Sequence, residues 1–366
     1  METTMDRRDL LRLGIAATAA GLAGPLGRYS ASEAALQGPL RAYVPCVSVG
    51  KAEYFADFKA QHNVDVDVTC WVSNSTTLTR MAAGGGKLFD VIDINSQFTT
   101  ALIRQNLVQP IDLDQIPNSK YLFPMFQKPA HSTVDGKMYS LPFTAGYDSI
   151  LYNAEKVDNV NSYGALFDER YKGQISLRDD PQTSIAMTAL YMGYTKPFTL
   201  TSADLKKVGD FLISKKPLLR RLWTGYGEVI SMVKSGEVWL VGSAWMPMHR
   251  QLLRDGAKVK FARPKEKALM WTHDLLIPKG PETRGMMPTV YAYMDWSLGK
   301  FMAGHLSRDL GYISPSKRTL EFLTPEEAKG FGYDEIETLW SSMLPMITYP
   351  ENLQEWNDTW SRFKAA

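Results

Sequence analysis

Apolar and polar stretches alternate along the first third of the chain in the rhythm of strands and helices. Short apolar runs predict three strands, at 40–45, 64–70 and 88–94. The segments between them predict helices around 51–61 and 74–83, and another helix follows the third strand. Because a βαβαβ order places neighbouring strands in parallel, we predict a parallel sheet with helices on its faces.

The middle of the chain adds further strands and helices. "GKMYSLPFTAGYDSILYNAEKV" at 136–157 predicts two strand segments joined through an irregular middle. "ISLRDDP" predicts a short strand that turns into a helix, with Asp180 as the N-cap and Pro181 in the first turn. "VWLVGSAW" predicts a strand between two helices, and the chain from about residue 290 onward has mostly helical periodicity.

Residues 271–278, "WTHDLLIP", join an apolar strand to an indole, an imidazole and a carboxylate. The apolar residues before the proline predict the last part of a buried strand, and Trp271, His273 and Asp274 stand where that strand begins. In a purely structural interpretation, Trp271 packs in a core and Asp274 caps a turn. In a functional interpretation, the same side chains face a ligand. The choice between these two interpretations depends on what the rest of the chain forms.

The first 34 residues have the layout of an export signal. Arg7 and Arg8 precede an apolar stretch at 13–26, and the small residues of "ASEA" at 31–34 suit a cleavage site. The pattern "DRRDLLR" resembles a twin-arginine signal, and a signal for the general secretion route is the alternative. No cysteine lies near the cleavage site, so we expect a soluble, periplasmic protein without a lipid anchor, exported by the twin-arginine machinery.

Composition indicates an ordinary globular protein. About 330 residues follow the signal, enough for two domains. The balance of 41 Lys and Arg against 39 Asp and Glu argues against a nucleic-acid-binding protein, which usually carries a basic stripe. The two cysteines, Cys46 and Cys70, exclude a disulfide-rich scaffold, and both a single bond between them and two separate thiols stay open.

Motifs of enzymes and metalloproteins are missing from the sequence. The five histidines form no HExxH motif, "GSAW" is not a nucleophile elbow, and "AGGGKL" has Leu88 where a phosphate-binding loop needs Ser or Thr. No Tyr-Tyr pair suggests a ferric-iron site. We therefore expect no catalytic residues, metal or cofactor, and a periplasmic enzyme is a remote alternative.

Six segments together carry a family resemblance. They are "LFDVIDINSQFTTALIRQNLVQPID", "GKMYSLPFTAGYDSILYN", "YKGQISLRDD", "SGEVWLVGSAW", "MWTHDLLIPKG" and the terminal "EWNDTWSRFKA". By their order and spacing the chain resembles the substrate-binding proteins of ABC importers, most closely the polyamine (spermidine and putrescine) binding branch. The resemblance covers essentially all of the mature chain.

The resemblance implies a two-lobed α/β fold of the type II periplasmic binding proteins, with two mainly parallel sheets joined by a hinge. It places the N-terminal lobe at 35–142 plus 276–314 and the C-terminal lobe at 143–275 plus 315–366. Crossings are expected near residues 142–145, 274 and 314. A small ligand would bind between the lobes, which close on it. The partners implied are ABC permease subunits, and we expect a monomer.

Open α/β sheets bind ligands beyond the carboxyl ends of their strands. With that rule the resemblance implies a set of cleft residues, with no metal ligand among them: Trp271, Trp245, Asp180, His273, Asp274, Asn95, Gln97, Tyr147 and Asp148. Indole rings would hold a methylene chain or a cation, and carboxylates would bind ammonium groups. We expect Trp271 to be solvated when the lobes are open.

Three positions depart from the polyamine-binding pattern. Thr183 stands where the family tends to place a second acid, His273 replaces an acid two residues after Trp271, and Cys46 falls near an expected aromatic residue. Because the cleft has fewer acidic residues than the pattern, it can balance less positive charge on a ligand. A polyamine is therefore one candidate ligand, and an opine-like amino acid–sugar conjugate or an organic anion is the alternative. Arg220 and Arg221 either meet an anionic ligand end or form a solvated face.

Overall fold

The structure is a computed structural model, and it describes residues 36–45, 52–71, 73–347 and 349–366. The predicted export signal, with Arg7 and Arg8, lies outside the described residues, as does Cys46. In the described part, no helix combines the length and apolar character needed to cross a membrane.

Strands and helices alternate as the pattern predicts. The strands of the described residues are β1 (Leu40–Pro45), β2 (Val66–Trp71), β3 (Val91–Asn95), β4 (Val108–Gln109), β5 (Thr133–Val134), β6 (Lys137–Met138), β7 (Leu141–Asn153), β8 (Ile175–Arg178), β9 (Leu219–Trp223), β10 (Leu240–Trp245), β11 (Val259–Phe261), β12 (Leu269–Pro278) and β13 (Leu344–Pro345). The helices are α1 (Ala52–His62), α2 (Asn74–Ala82), α3 (Ser96–Arg104), α4 (Pro124–Gln127), α5 (Pro181–Tyr191), α6 (Ser202–Lys215), α7 (Tyr226–Lys234), α8 (Met246–Arg254), α9 (Met287–Ser297), α10 (Lys300–Arg308), α11 (Pro325–Phe331), α12 (Ile336–Ser341) and α13 (Leu353–Ala365).

The main sheet consists of two parallel groups on either side of an antiparallel pair. Its strand order is β2-β1-β3-β12-β7-β10-β8-β9. β1 runs parallel to β2 and β3, and β8 runs parallel to β9 and β10. Between these groups, β12 pairs antiparallel with both β3 and β7, and β7 pairs antiparallel with β10. The two predicted parallel sheets are thus joined edge to edge by the two long strands β7 and β12.

The long strands differ from their prediction. β7 is one continuous strand of 13 residues rather than two segments with an irregular middle. β12 begins at Leu269, so Trp271, His273 and Asp274 lie within the strand rather than ahead of it. Mutual pairing explains both differences, because the register from Leu269↔Asp148 to Leu275↔Leu141 supplies ladder hydrogen bonds that the local sequence does not reveal.

Polar caps start the helices that follow three of the parallel strands. The Ser73 side chain accepts from the Thr76 amide at the start of α2, and Asn95 accepts from the Gln97 amide at the start of α3. Asp180 accepts from the Thr183 amide at the start of α5, and Pro181 is in its first turn, as predicted. Such caps satisfy amides that the first helical turn leaves unpaired.

Two large apolar clusters pack against opposite ends of the long strands. One contains Leu40 and Val44 of β1 with Phe55 of α1, and the other packs β8, α5 and α6 around Trp356 of α13. Side chains between 323 and 343 pack into the first cluster, although they fall within the predicted C-terminal lobe. The predicted lobe boundaries themselves stay a prediction.

Candidate functional site

A cavity of about 560 Å³ lies at the carboxyl ends of the parallel strands. The last residues of five strands line it: Pro45 of β1, Trp71 of β2, Asn95 of β3, Arg178 of β8 and Trp245 of β10. Strands from both parallel groups therefore aim their ends at one space. This is the position at which open α/β sheets bind ligands.

Most of the predicted site residues come together around this cavity. The predicted residues that line it are Asn95, Gln97, Asp148, Asp180, Trp245, Trp271 and His273. Tyr147 and Asp274 do not line it. Whether the lining residues contact a ligand stays a prediction.

Asp274 is a structural residue in this fold. It has no exposed surface, and its Oδ2 accepts hydrogen bonds from the Thr99 hydroxyl at 3.0 Å and the Ser140 hydroxyl at 3.0 Å. His131 Nε2 lies 2.6 Å from the same oxygen. Burial opposes ionisation of Asp274, but the His131 contact and the hydroxyl bonds outweigh it and lower its pKa. Since side chains alternate along a strand, His273 faces the cavity and Asp274 faces away.

Tyr147 follows the same alternation on β7. Its ring packs against Phe261 with the centroids 5.1 Å apart, on the side of the strand away from the cavity side chain of Asp148. The sequence placed both neighbours in the cleft, and only one side of a strand can face it.

Asp148 is the most deeply buried carboxylate of the cavity wall, with 2% of its surface exposed. Trp271 Nε1 donates to its Oδ1 at 2.7 Å, and the Ser243 hydroxyl lies 3.3 Å from Oδ2. Arg178 Nη1 lies 3.6 Å from the same Oδ2. Burial raises the pKa of Asp148 to about 7, with Asp180 adding to the rise and Arg178 and Trp271 opposing it. This carboxyl is therefore protonated more readily than an exposed aspartate.

Asp180 is the second carboxylate of the cavity. Its Oδ2 accepts from the Thr183 amide at 2.9 Å and from the Thr183 hydroxyl at 2.6 Å. Thr183, which stands where the family tends to place an acid, is thus a hydrogen-bond donor that holds Asp180 at the cavity.

Trp271 forms a rigid wall of the cavity. Its ring packs edge-on against Tyr312 with the centroids 5.9 Å apart, and it lies so close to Gly146 of β7 that a Cβ there would stand 2.7 Å from Cζ2. Only 8% of Trp271 is exposed in this structure, and its solvation when the lobes are open stays a prediction. The pairing of β12 with β7 presses the ring onto the neighbouring strand.

His273 and Trp71 form a second aromatic surface. The two rings are stacked with an interplanar angle of 6° and centroids 5.9 Å apart. His273 Nδ1 lies 2.7 Å from Oδ1 of the buried Asp93, whose backbone oxygen accepts from Trp71 Nε1 at 2.8 Å. Burial raises the pKa of Asp93, and His273 opposes the rise. The substitution of histidine for the family's acid therefore places an imidazole with its own carboxylate partner at the cavity.

The lining residues that sequence reasoning missed include Trp71, Arg178 and Tyr312. Trp71 and Arg178 end strands, so the rule that selected Asn95 and Trp245 also applies to them. Tyr312 lies outside any strand, beside the bridge of Ala145 with Ile313, and no local pattern marks it.

Arg220 and Arg221 do not line the cavity. They form exposed ion pairs with Glu237 and Glu228, respectively, which agrees with a solvated face. Across the described residues, no group of three or more His, Cys, Asp and Glu side chains is arranged to hold a metal ion. Cys70 at the end of β2 is disulfide-bonded, and the chain's other cysteine, Cys46, is outside the described part.

Comparison with known proteins gives one family and several relatives. The family described as bacterial extracellular solute-binding protein matches residues 53–329. The putrescine/cadaverine-binding protein of Pseudomonas aeruginosa is 24% identical over 314 residues, covering 80% of this chain and 82% of that protein. The spermidine/putrescine-binding periplasmic protein of Escherichia coli is 24% identical over 288 residues, covering 77% and 79%.

Solved structures share the fold at lower identity. A putative spermidine/putrescine ABC transporter protein from Listeria monocytogenes superposes with a TM-score of 0.76 at 22% identity, covering 89% of this chain and 98% of that one. The binding protein MotA from A. tumefaciens in complex with glucopine superposes with a TM-score of 0.68 at 15% identity, covering 89% and 99%. These likenesses confirm the predicted two-lobed α/β fold.

Proposed function

Because the chain belongs to the family of bacterial extracellular solute-binding proteins, we propose that it captures a small amine-containing solute in the cavity described above. It then delivers the solute to the permease subunits of an ABC importer. In this proposal the mature protein works in the periplasm, which it reaches through the twin-arginine machinery, and the cavity binds without catalysing a reaction.

The observation that carries the proposal is the combination of carboxylates and indoles around one cavity. Asp148 and Asp180 offer acceptors for an ammonium group, and Trp71, Trp245 and Trp271 offer flat apolar faces. An ammonium group gains charge-assisted hydrogen bonds from carboxylates and a quadrupole attraction from indole faces, while its carbon chain is removed from water. Relatives named for putrescine, cadaverine and spermidine add support for an amine.

A second candidate is a solute that carries an anionic or sugar group beside its amine. The guanidinium of Arg178 lies in the cavity wall, where a pure polyamine site would have no use for a cation. An opine-like conjugate would offer it a carboxylate, and the same fold binds glucopine in the MotA structure. Both candidates share the amine, so one experiment tests them together.

The test is isothermal titration of the mature protein with linear amines, amino acids and opine-like conjugates, on wild type and on Asp180→Asn. Asparagine is as good an N-cap as aspartate, so the variant keeps the start of α5. Loss of a charged acceptor should weaken binding of the amine by about 1.5–3 kcal/mol. We therefore expect an affinity lower by roughly tenfold to a hundredfold.

Asp179→Asn is the matched control. Asp179 is the adjacent residue, but its carboxylate accepts from Trp360 and Lys364 and does not line the cavity. Its affinity for the amine should equal that of wild type. Equal affinity in Asp180→Asn and wild type, or turnover of a bound solute, would contradict the proposal.

A further inference from the structure

Arg178 gives the cavity a cation of its own. We propose that this side chain occupies a position on Trp245 where a ligand ammonium would otherwise bind, and that it selects amines whose other end is a carboxylate over linear diamines. The inference rests on the proposed amine-binding function and specifies the class of solute.

The guanidinium already sits where a ligand cation would bind an indole. Its central carbon is 4.7 Å from the ring centroid of Trp245 and 5.6 Å from that of Trp223. A cation within about 6 Å of a ring centroid takes up the attraction of the ring face. Arg178 therefore already occupies one face of Trp245 that a ligand ammonium could use.

The same guanidinium reduces the negative charge of the cavity. It faces the Asp148 carboxylate across 3.6 Å, so one of the two lining carboxylates is balanced within the protein. Asp180 is then the lining carboxylate that can balance a ligand cation, and its side chain pairs with Thr183 rather than with a cation. A diamine would bring a second ammonium toward a guanidinium, and like charges at short range repel strongly where water is scarce.

The Arg178 side chain also has hydrogen-bond donors that a ligand could use. Its guanidinium carries five N–H groups in a planar fork. Its one ion pair, at 3.6 Å, is longer than a hydrogen bond, and no acceptor in the described part of the chain takes a hydrogen bond from its side chain. A ligand carboxylate matches this fork in a bidentate geometry. The amine end would then face Asp180 or the ring surfaces of Trp71 and Trp271.

The experiment is titration of wild type, Arg178→Ser and Arg178→Lys with matched pairs of probes. Each pair consists of a linear diamine and the ω-amino acid of the same length, which differ in one ammonium replaced by a carboxylate. Wild type should bind the amino acid at least tenfold more tightly. Arg178→Ser should lose this preference and gain affinity for the diamine, and Arg178→Lys should keep rejecting the diamine because it keeps the charge.

Arg221→Ser is the matched control, since Arg221 on the neighbouring strand β9 pairs with Glu228 at the surface. It should behave as wild type. If Arg178→Ser does not fold by circular dichroism, Arg178→Met removes the charge while keeping an unbranched side chain, and the same reversal is expected.

Two results would overturn the inference, and they are distinguishable. If wild type prefers the diamine and the neutral Arg178 variants leave diamine affinity unchanged, the selection by Arg178 is wrong while amine binding stands. If neither wild type nor any variant binds a probe of either kind, the amine-binding function fails and the inference fails with it.

Discussion

The Asp148 side chain combines burial with a position in the cavity wall. In the unfolded chain its carboxyl has the ordinary pKa of 3.8, and burial raises the folded-state pKa to about 7. Between these pH values the folded protein binds one proton more than the unfolded chain. The free energy of unfolding therefore falls as pH rises through this window, and the contribution of Asp148 levels off above it.

We predict that Asp148→Asn removes this pH dependence. The difference in free energy of unfolding, wild type minus variant, should fall by about 1.4 kcal/mol per pH unit between about pH 4 and pH 7, and then stay flat. Urea denaturation at a series of pH values measures it. A difference that is independent of pH would show that Asp148 titrates normally in the folded protein.

Individual site residues were predictable where two simple rules agree. Asn95 and Trp245 end strands and are followed by helices, so position and topology both point to the cavity. Trp271 and His273 needed the family resemblance, because their strand begins earlier than the local pattern indicates. Asp274 was misplaced because one residue along a strand reverses the side that a side chain faces, and sequence alone does not fix that parity.

At the scale of elements, the Trp271 ring of β12 lies directly against the backbone of β7. Gly146 faces the ring of Trp271, and a methyl group there would stand 2.7 Å from Cζ2 and 2.9 Å from Cη2. The absence of a side chain at this one position lets the indole lie against the neighbouring strand and reach Asp148.

We predict that Gly146→Ala pushes the Trp271 ring out of place and lengthens its bond to Asp148. Solute affinity should fall about tenfold or more, because a preorganised wall and its hydrogen bond are lost together. Titration of Gly146→Ala beside Gly227→Ala measures the effect, since a Cβ on Gly227 in α7 meets nothing within 4 Å. Unchanged affinity in Gly146→Ala would show that displacing the Trp271 ring does not weaken solute binding.

The bonds of Asp274 tie the strand β12 to α3 and to the segment before β7. One carboxylate oxygen joins Thr99, Ser140 and His131. Removing one partner of a buried charged network leaves the others unpaired in a dry interior. This network lies just behind the strand that carries Trp271 and His273.

Asp274→Ala should therefore lower the free energy of unfolding by about 3–5 kcal/mol. Guanidinium denaturation measures the loss, and Asp67→Ala on the exposed side of β2 should change stability by less than about 0.5 kcal/mol. If the free energy of unfolding falls no further in Asp274→Ala than in the control, the network does not hold β12 in place.

Elements with strong local patterns were predicted well, and the paired long strands were not. The first parallel strands and the cap of α5 by Asp180 follow from local sequence and are confirmed. The continuity of β7 depends on ladder bonds to β10, β11 and β12, whose residues lie about a hundred positions away in the chain. Pairing over that distance leaves no trace in a local window.

At the scale of the whole molecule, one prediction concerns the export route rather than the fold. Replacing Arg7 and Arg8 by lysine keeps the charge but removes the paired arginines on which the twin-arginine interpretation depends. We expect the variant precursor to stay in the cytoplasm, as measured by fractionation and immunoblotting. An undiminished periplasmic yield would favour the general secretion route.

The pairing of β7 with β12 limits how this molecule can acquire new solutes. Asp148 stands on one of these strands and Trp271 on the other, and a single hydrogen bond joins them. Both residues lie in the predicted C-terminal lobe, so recombination that exchanges a whole lobe with a relative transfers the pair intact, whereas a crossover between the two strands separates it. New specificity should therefore arise by point substitution at strand ends such as Arg178, and chimeras with a crossover between β7 and β12 should bind neither parent's solute in titration, even where circular dichroism shows that they fold.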